Sequence, residues 1–280
     1  MTHATGSLIS RDGRTLFTRS WTPDGDPRGV VLIVHGLHEH SGRYAYAASA
    51  LMQRGYAVCA SDLRGHGRSD GPRGQVEGFD EYVDDLRLFL SRVEEEAGDR
   101  PVFLMGQSMG GLVVARLVAS GGAAEVAGVA LTSPILDVPE GTPGWLLSVA
   151  DVLARWVPTL PVQSIDLSAL SRDPSVEAAY KADPLAIVQG VRVRLAAEIR
   201  RAFLAVRDRP ERFTMPLYLT HGTDDQITPP SGTTWLAEHA ASNDVTLQLW
   251  PGLLHETFHE PERDETIAHF ADWLDAHAPA

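Results

Sequence analysis

The stretch that most limits the folds open to this chain is "VFLMGQSMGGLVVARLVA", Val102 to Ala119. An apolar run meets a serine set between glycines and passes at once into a second apolar run with a helical period. The first run reads as a strand covered on both faces, and the second as a helix packed on the same sheet. Strand must therefore turn into helix with almost no loop between them. Gly106 and Gly110 leave room where any Cβ would collide across such a turn, and Gly111 lets the helix press on the sheet. The seam predicts an α/β domain and holds Ser108 out at the carboxyl edge of its sheet.

The same alternation recurs along the chain. Further strand candidates are "VVLIVHG" (Val30 to Gly36), "YAVCASD" (Tyr56 to Asp62), "GVALTSP" (Gly128 to Pro134), "LYLTHG" (Leu217 to Gly222) and "VTLQLW" (Val245 to Trp250). Helical patterns fall between them, at Tyr44 to Arg54, Phe79 to Ala97, Met109 to Ser120, Pro230 to Ala240 and Pro261 to Ala276. Strand, helix, strand, helix implies a mostly parallel central sheet with helices on both faces. One interval breaks the rhythm. From Ile135 to Phe213 the chain reads as helices separated by prolines, so residues 1–134 and 214–280 are expected to form the core and 135–213 an inserted helical cap.

Charge and composition remove several function classes. The formal net charge is -13, and the field of such a molecule repels a phosphate backbone, so nucleic acid is not an expected partner. The single cysteine, Cys59, cannot form an internal disulfide and lies in the apolar run "YAVCASD", where it fills a strand. The N-terminal stretch has no apolar leader region and no run is long enough to span a membrane, which predicts a cytoplasmic protein. His35, His38, His40 and His66 crowd two loops, yet none shows a metal-ligand spacing, and no metal is expected.

A serine at the tip of a strand-to-helix turn gains from the helix N-terminus behind it, whose free backbone N–H groups face an oxyanion forming on a substrate. Ser108 is therefore the candidate nucleophile and Met109 N–H one oxyanion donor. Such a serine needs a base, and the base an acid, in the order Ser, Asp, His. The strand "LYLTHG" ends in "TDDQITP", where Asp224 and Asp225 compete and Asp225, placed by His-Gly-x-x-Asp, is favoured. The strand "VTLQLW" ends in "PGLLHETFHE", where His255 leaves the strand directly and is favoured over His259. His259 is left either to touch substrate or to pack the loop. The second oxyanion donor is expected from the loop "HGLHEHSGRY", with Leu37 N–H as candidate and His35 and Gly36 shaping the turn.

Taken together, "HGLHEHSGRY", "SDLRGHGRSDG", "GQSMGG", "SIDLSALSRDPSVEAAYKADPL", "HGTDDQITP" and "PGLLHETFHEPER" resemble the α/β-hydrolase fold and, within it, the monoacylglycerol lipase family. The likeness runs from about Trp21 to the C-terminus. It implies cleavage of a monoacylglycerol to a fatty acid and glycerol without a cofactor, with Ser108, Asp225 and His255 as triad and Leu37 and Met109 as oxyanion donors. It also implies Glu39 and Arg43 near the glycerol end. Two positions depart from the pattern: Gln107 replaces the commoner histidine beside the nucleophile, and Leu254 an aromatic before the base. They bear on what the resemblance implies about chain-length preference and not on the triad. Independently, Trp145, Val149, Val152 and Trp156 form one helical stripe in the insertion. The stripe either packs on the core, or lines an acyl tunnel and rests transiently on a membrane or micelle, which makes Trp145 and Val149 candidate substrate contacts. A monomer and a homodimer are equally compatible with the sequence.

Overall fold

The computed structural model describes residues 1–138, 153–188 and 190–278. Strands β1 (Thr2–Ile9), β2 (Thr15–Thr22), β3 (Gly29–Val34), β4 (Tyr56–Ser61), β5 (Val102–Gln107), β6 (Gly128–Thr132), β9 (Leu217–Gly222) and β10 (Val245–Trp250) make one sheet in the order β1-β2-β4-β3-β5-β6-β9-β10. From β4 to β10 all pairings are parallel, while β1 and β2 join antiparallel at one end. Helices α1 (Ala45–Gln53), α2 (Asp80–Ala97), α3 (Met109–Ala119), α6 (Pro230–His239) and α7 (Arg263–His277) connect or follow the parallel strands. The mostly parallel sheet with helices on both faces expected from the alternation is the one observed, and it has the α/β-hydrolase architecture that the resemblance implies.

Side-chain alternation divides the interior in two. Val30, Leu32, Val34 and Leu104 face one core with α2 and α3, whereas Val31, Ile33, Phe103 and Met105 face another with α1 and α7. Every residue of β3, β5 and β9 is buried, as continuous apolarity requires of strands covered on both faces. The chain leaves β3 toward β4 on one side and returns to β5 on the other. The crevice beyond their carboxyl ends is where an open α/β sheet places its ligand.

The insertion departs from the all-helical expectation. It carries α4 (Pro174–Ala182) and α5 (Val193–Arg207), but also a short antiparallel ribbon of β7 (Pro161–Gln163) and β8 (Val191–Arg192). Leu195, Ala202, Phe203 and Val206 of α5 join the same core as α3. Leu170, Val176 and Tyr180 instead form a separate small cluster that includes Ile227 of the core. Trp145, Val149 and Val152 lie outside the described residues. Trp156, from the same expected stripe, is 80% exposed. Among the described residues no helix is long and apolar enough to cross a membrane.

Candidate active site

Among the described residues three non-glycine residues have positive φ, namely His38 at 65°, Ser108 at 54° and Ser133 at 43°. They follow β3, β5 and β6, so the backbone strain of the described chain collects at one edge of the sheet, as it does at functional sites. Ser108 has ψ of -118° and is 5% exposed. A Cβ on Gly110 would stand 2.1 Å from the Val34 carbonyl oxygen and 2.4 Å from that of His35, so only glycine lets the first turn of α3 cross β3 this closely. Met109 opens α3, and its N–H has no carbonyl one turn back in the helix to bond.

The candidate acid and base come from the turns after β9 and β10. His255 Nδ1 lies 2.7 Å from Asp225 Oδ2, and the Asp225 side chain is fully buried. The same oxygen is 2.9 Å from His221 Nε2 and 2.9 Å from Thr228 Oγ1, while Oδ1 accepts from the backbone N–H of Ile227 (2.7 Å) and of Thr228 (3.0 Å). Burial raises the Asp225 pKa, but the charge of His255 and the hydrogen bonds from His221 and His255 outweigh it and hold the carboxyl well below its usual range. For His255 burial favours the neutral ring. The Asp225 charge and hydrogen bond, with help from Glu256 and Glu39, reverse that and raise its pKa above 6.5. With Nδ1–H given to Asp225, Nε2 keeps its lone pair for a proton. Asp224, the competitor, is exposed and accepts instead from Thr223 Oγ1 (2.9 Å).

The loop after β3 brings the remaining candidates to Ser108. A Cβ on Gly36 would lie 3.3 Å from Ser108 Cβ, so the start of this loop, with Leu37 as its next residue, runs against the candidate nucleophile. Among the described residues no protein acceptor takes the Leu37 amide. Glu39 is 3% exposed, and its Oε1 accepts from Gly36 N–H (2.5 Å) and Tyr44 Oη (2.9 Å). Arg43 donates to Glu39 Oε2 (2.7 Å) and, through both terminal nitrogens, to Glu256 (2.6 Å each). Glu39 and Arg43 therefore build the wall around the loop, in a buried network with Glu256. His259 closes it, with Nε2 3.1 Å from the Arg43 carbonyl and its ring edge-on to Tyr44.

"SDLRGHGRSDG" has a structural part. Asp62 Oδ1 accepts from Ser41 N–H (2.9 Å) and Oδ2 from Arg68 N–H (2.8 Å), tying the loop after β4 to the one after β3. The segment between β6 and β9 also meets that loop: His40 Nε2 lies 2.7 Å from Asp183 Oδ2, the Ile187 N–H bonds the His38 carbonyl at 2.8 Å, and Tyr180 lies under the Arg43 guanidinium at 4.9 Å. Gln107 spans to the base loop, its Nε2 3.4 Å from the His255 carbonyl. Sequence reasoning did not single out His221, Thr228, Glu256, Asp183 or Tyr180 for these contacts. His221 was recoverable, since it is the histidine of His-Gly-x-x-Asp. Cys59 is half-buried in β4, and burial pushes its thiol up to about 11.

Fold and site together define a serine hydrolase built on the α/β-hydrolase sheet. Known proteins agree. A family model described as serine aminopeptidase, S33, matches residues 25–262. The monoacylglycerol lipase of Mycolicibacterium smegmatis is 39% identical over 261 residues, 92% of this chain and 91% of that one. Human monoglyceride lipase is 35% identical over 264 residues, 94% of this chain and 87% of its own. A crystal structure of Paleococcus ferrophilus monoacylglycerol lipase superposes with a TM-score of 0.83 at 33% identity, covering 94% of this chain and 99% of that one. The chain belongs to the serine aminopeptidase S33 family of α/β-hydrolases, in the branch that holds the monoacylglycerol lipases.

Proposed function

We infer that this protein is a carboxylic ester hydrolase that cleaves monoacylglycerol to a fatty acid and glycerol through an acyl-enzyme on Ser108. The observation that carries the reading is the buried Asp225–His255 hydrogen bond of 2.7 Å at the same sheet edge as the strained Ser108, in a chain whose relatives include monoacylglycerol lipases. His255 Nε2 takes the Ser108 proton as Oγ attacks the ester carbon, and the oxyanion forms against Leu37 N–H and Met109 N–H. Collapse breaks the bond to the glycerol oxygen, which leaves with the proton from His255. A water then repeats the sequence and frees the acid, while Asp225 holds the tautomer and stabilises the imidazolium.

The substrate's two ends call for different walls. The network of Glu39, Arg43 and Glu256 supplies a polar one for glycerol, and the cap an apolar one for the chain. Trp156, Val157, Leu160 and Val188 are exposed apolar side chains of the insertion, which supports transient contact with a lipid surface. The test is glycerol release from 1-monoacylglycerols of graded length, beside diacylglycerol and lysophospholipid. Turnover confined to monoacylglycerols is expected, and Ser108→Ala should lose about 10⁴-fold or more. Cleavage of short activated esters with refusal of every lipid would keep the serine hydrolase and remove the lipase.

A further inference from the structure

We propose that His35 is the positioning residue of the oxyanion hole, setting the aim of the Leu37 amide by holding the carbonyl at the other end of the same peptide unit. The proposal rests on the serine hydrolase reading above. It starts from a conflict at Gly36. A Cβ there would lie 2.7 Å from Gln107 Oε1, 2.8 Å from Glu39 Oε1 and 3.3 Å from Ser108 Cβ, so a larger residue would push the ends of the Gln107 and Glu39 side chains aside. Glycine is also the residue least able to keep its own backbone direction. Something else must stop the peptide between Gly36 and Leu37 from turning over.

His35 is placed to do this. Its ring is fully buried, and Nε2 lies 2.8 Å from Leu63 N. A backbone N–H can only donate, so Nε2 is the acceptor and the proton of the neutral ring sits on Nδ1. Nδ1 lies 2.7 Å from the Gly36 carbonyl oxygen. In a planar trans peptide that oxygen and the Leu37 N–H point in opposite directions. Donation to the oxygen therefore fixes the N–H on the opposite side of the peptide. A flipped peptide would lose this bond and face a substrate oxyanion with a carbonyl oxygen. Glu39 secures the preceding amide, Gly36 N–H, at 2.5 Å, so both polar groups of the glycine are held. Burial lowers the His35 pKa despite the charges of Glu39 and Asp62, and the neutral tautomer persists.

Two variants separate positioning from packing. Asparagine carries its amide nitrogen near the place of histidine Nδ1, whereas glutamine reaches the place of Nε2. His35→Asn keeps a donor for Gly36, and His35→Gln keeps only a partner for Leu63. We expect His35→Gln to lose about 10²-fold in kcat, with KM for a soluble ester changed by less than about threefold and an unmoved acid limb in the pH profile. The inhibition constant of a trifluoromethyl ketone, whose adduct carries an oxyanion, should weaken by the same factor as kcat/KM. His35→Asn should stay within about tenfold of the parent. Equal losses in the two variants, in step with equal falls in Tm, would overturn the proposal, as would an unimpaired His35→Gln. Failure of the parent to react with a fluorophosphonate would instead remove the serine hydrolase reading itself.

Discussion

Two edges of the site carry a buried histidine each, and the two are pushed in opposite directions. On the oxyanion edge, after β3, His35 faces a carbonyl and an amide, and burial lowers its pKa. On the acid–base edge, after β10, His255 is as buried but faces Asp225, whose charge raises its pKa. One carboxylate within hydrogen-bond reach decides whether an imidazole acts as a permanent dipole or as a group that accepts and returns a proton. The same sheet edge therefore needs both kinds of surroundings within a few residues of Ser108.

Removing that carboxylate should give the largest effect. Asp225→Asn replaces the acceptor for His255 Nδ1–H with a group whose amide half donates, and kcat should fall by about 10⁴-fold. Trifluoromethyl ketone labelling of the oxyanion edge is not the readout here; single-turnover acylation is, and an acylation rate within tenfold of the parent would break the comparison. The next effect is on folding. Arg43 is the cation between two buried carboxylates, with Glu39 3% and Glu256 5% exposed in the side chain. Arg43→Met strands both charges and should cost about 3–5 kcal/mol in denaturant unfolding. A loss under about 1 kcal/mol would mean that the network is solvated and does not brace the loop.

How much of this was readable beforehand follows from how local each signal is. The core strands and helices were legible because continuous apolar runs and helical periods are properties of neighbouring residues, and the nucleophile because glycines bracket it at a fixed spacing. β1, "THATGSLI", was not, since nearly all its side chains are exposed at the end of the sheet. The ribbon of β7 and β8 is too short to carry a period. Asp225 and His255 were legible from the ends of their strands, but the partners that hold them were not. Arg43 and Glu256 are 213 residues apart and His40 and Asp183 143 apart, and no local pattern announces a pairing across such distances. The expected stripe in the insertion presents Trp156 outward, because a helical period says which residues share a face and not what that face meets.

The cap's hold on the oxyanion edge gives a smaller, separable effect. His40 Nδ1 accepts from Gly42 N–H at 3.1 Å, so its Nε2–H donates to Asp183. Asp183→Ala removes an acceptor worth about 1 kcal/mol and should slow hydrolysis of a short soluble ester about fivefold; Asp183→Asn, which still accepts, should recover most of it. A short ester reaches little of the cap's apolar wall. An unchanged rate in Asp183→Ala would show that the cap lines the site without bracing its loop.

The smallest expected effect is a shift along the pH axis, and it tests the comparison at its source. On the proposed mechanism activity requires neutral His255, so the acid limb of kcat/KM follows the His255 pKa and should lie above the ordinary value of 6.5. Glu256 is one of the charges that raise it. Burial opposes ionisation of Glu256, but Arg43 and His259 outweigh that and hold its carboxyl at about 2, so it stays negative wherever the enzyme works. A negative neighbour favours the imidazolium, and its loss must lower the His255 pKa. Glu256→Gln should therefore move the acid limb down by less than about one pH unit, leaving the enzyme more active than its parent in mild acid relative to its own maximum. A limb that moved upward would reverse the sign of the whole electrostatic account. A limb that stayed still would place the control of His255 in Asp225 alone.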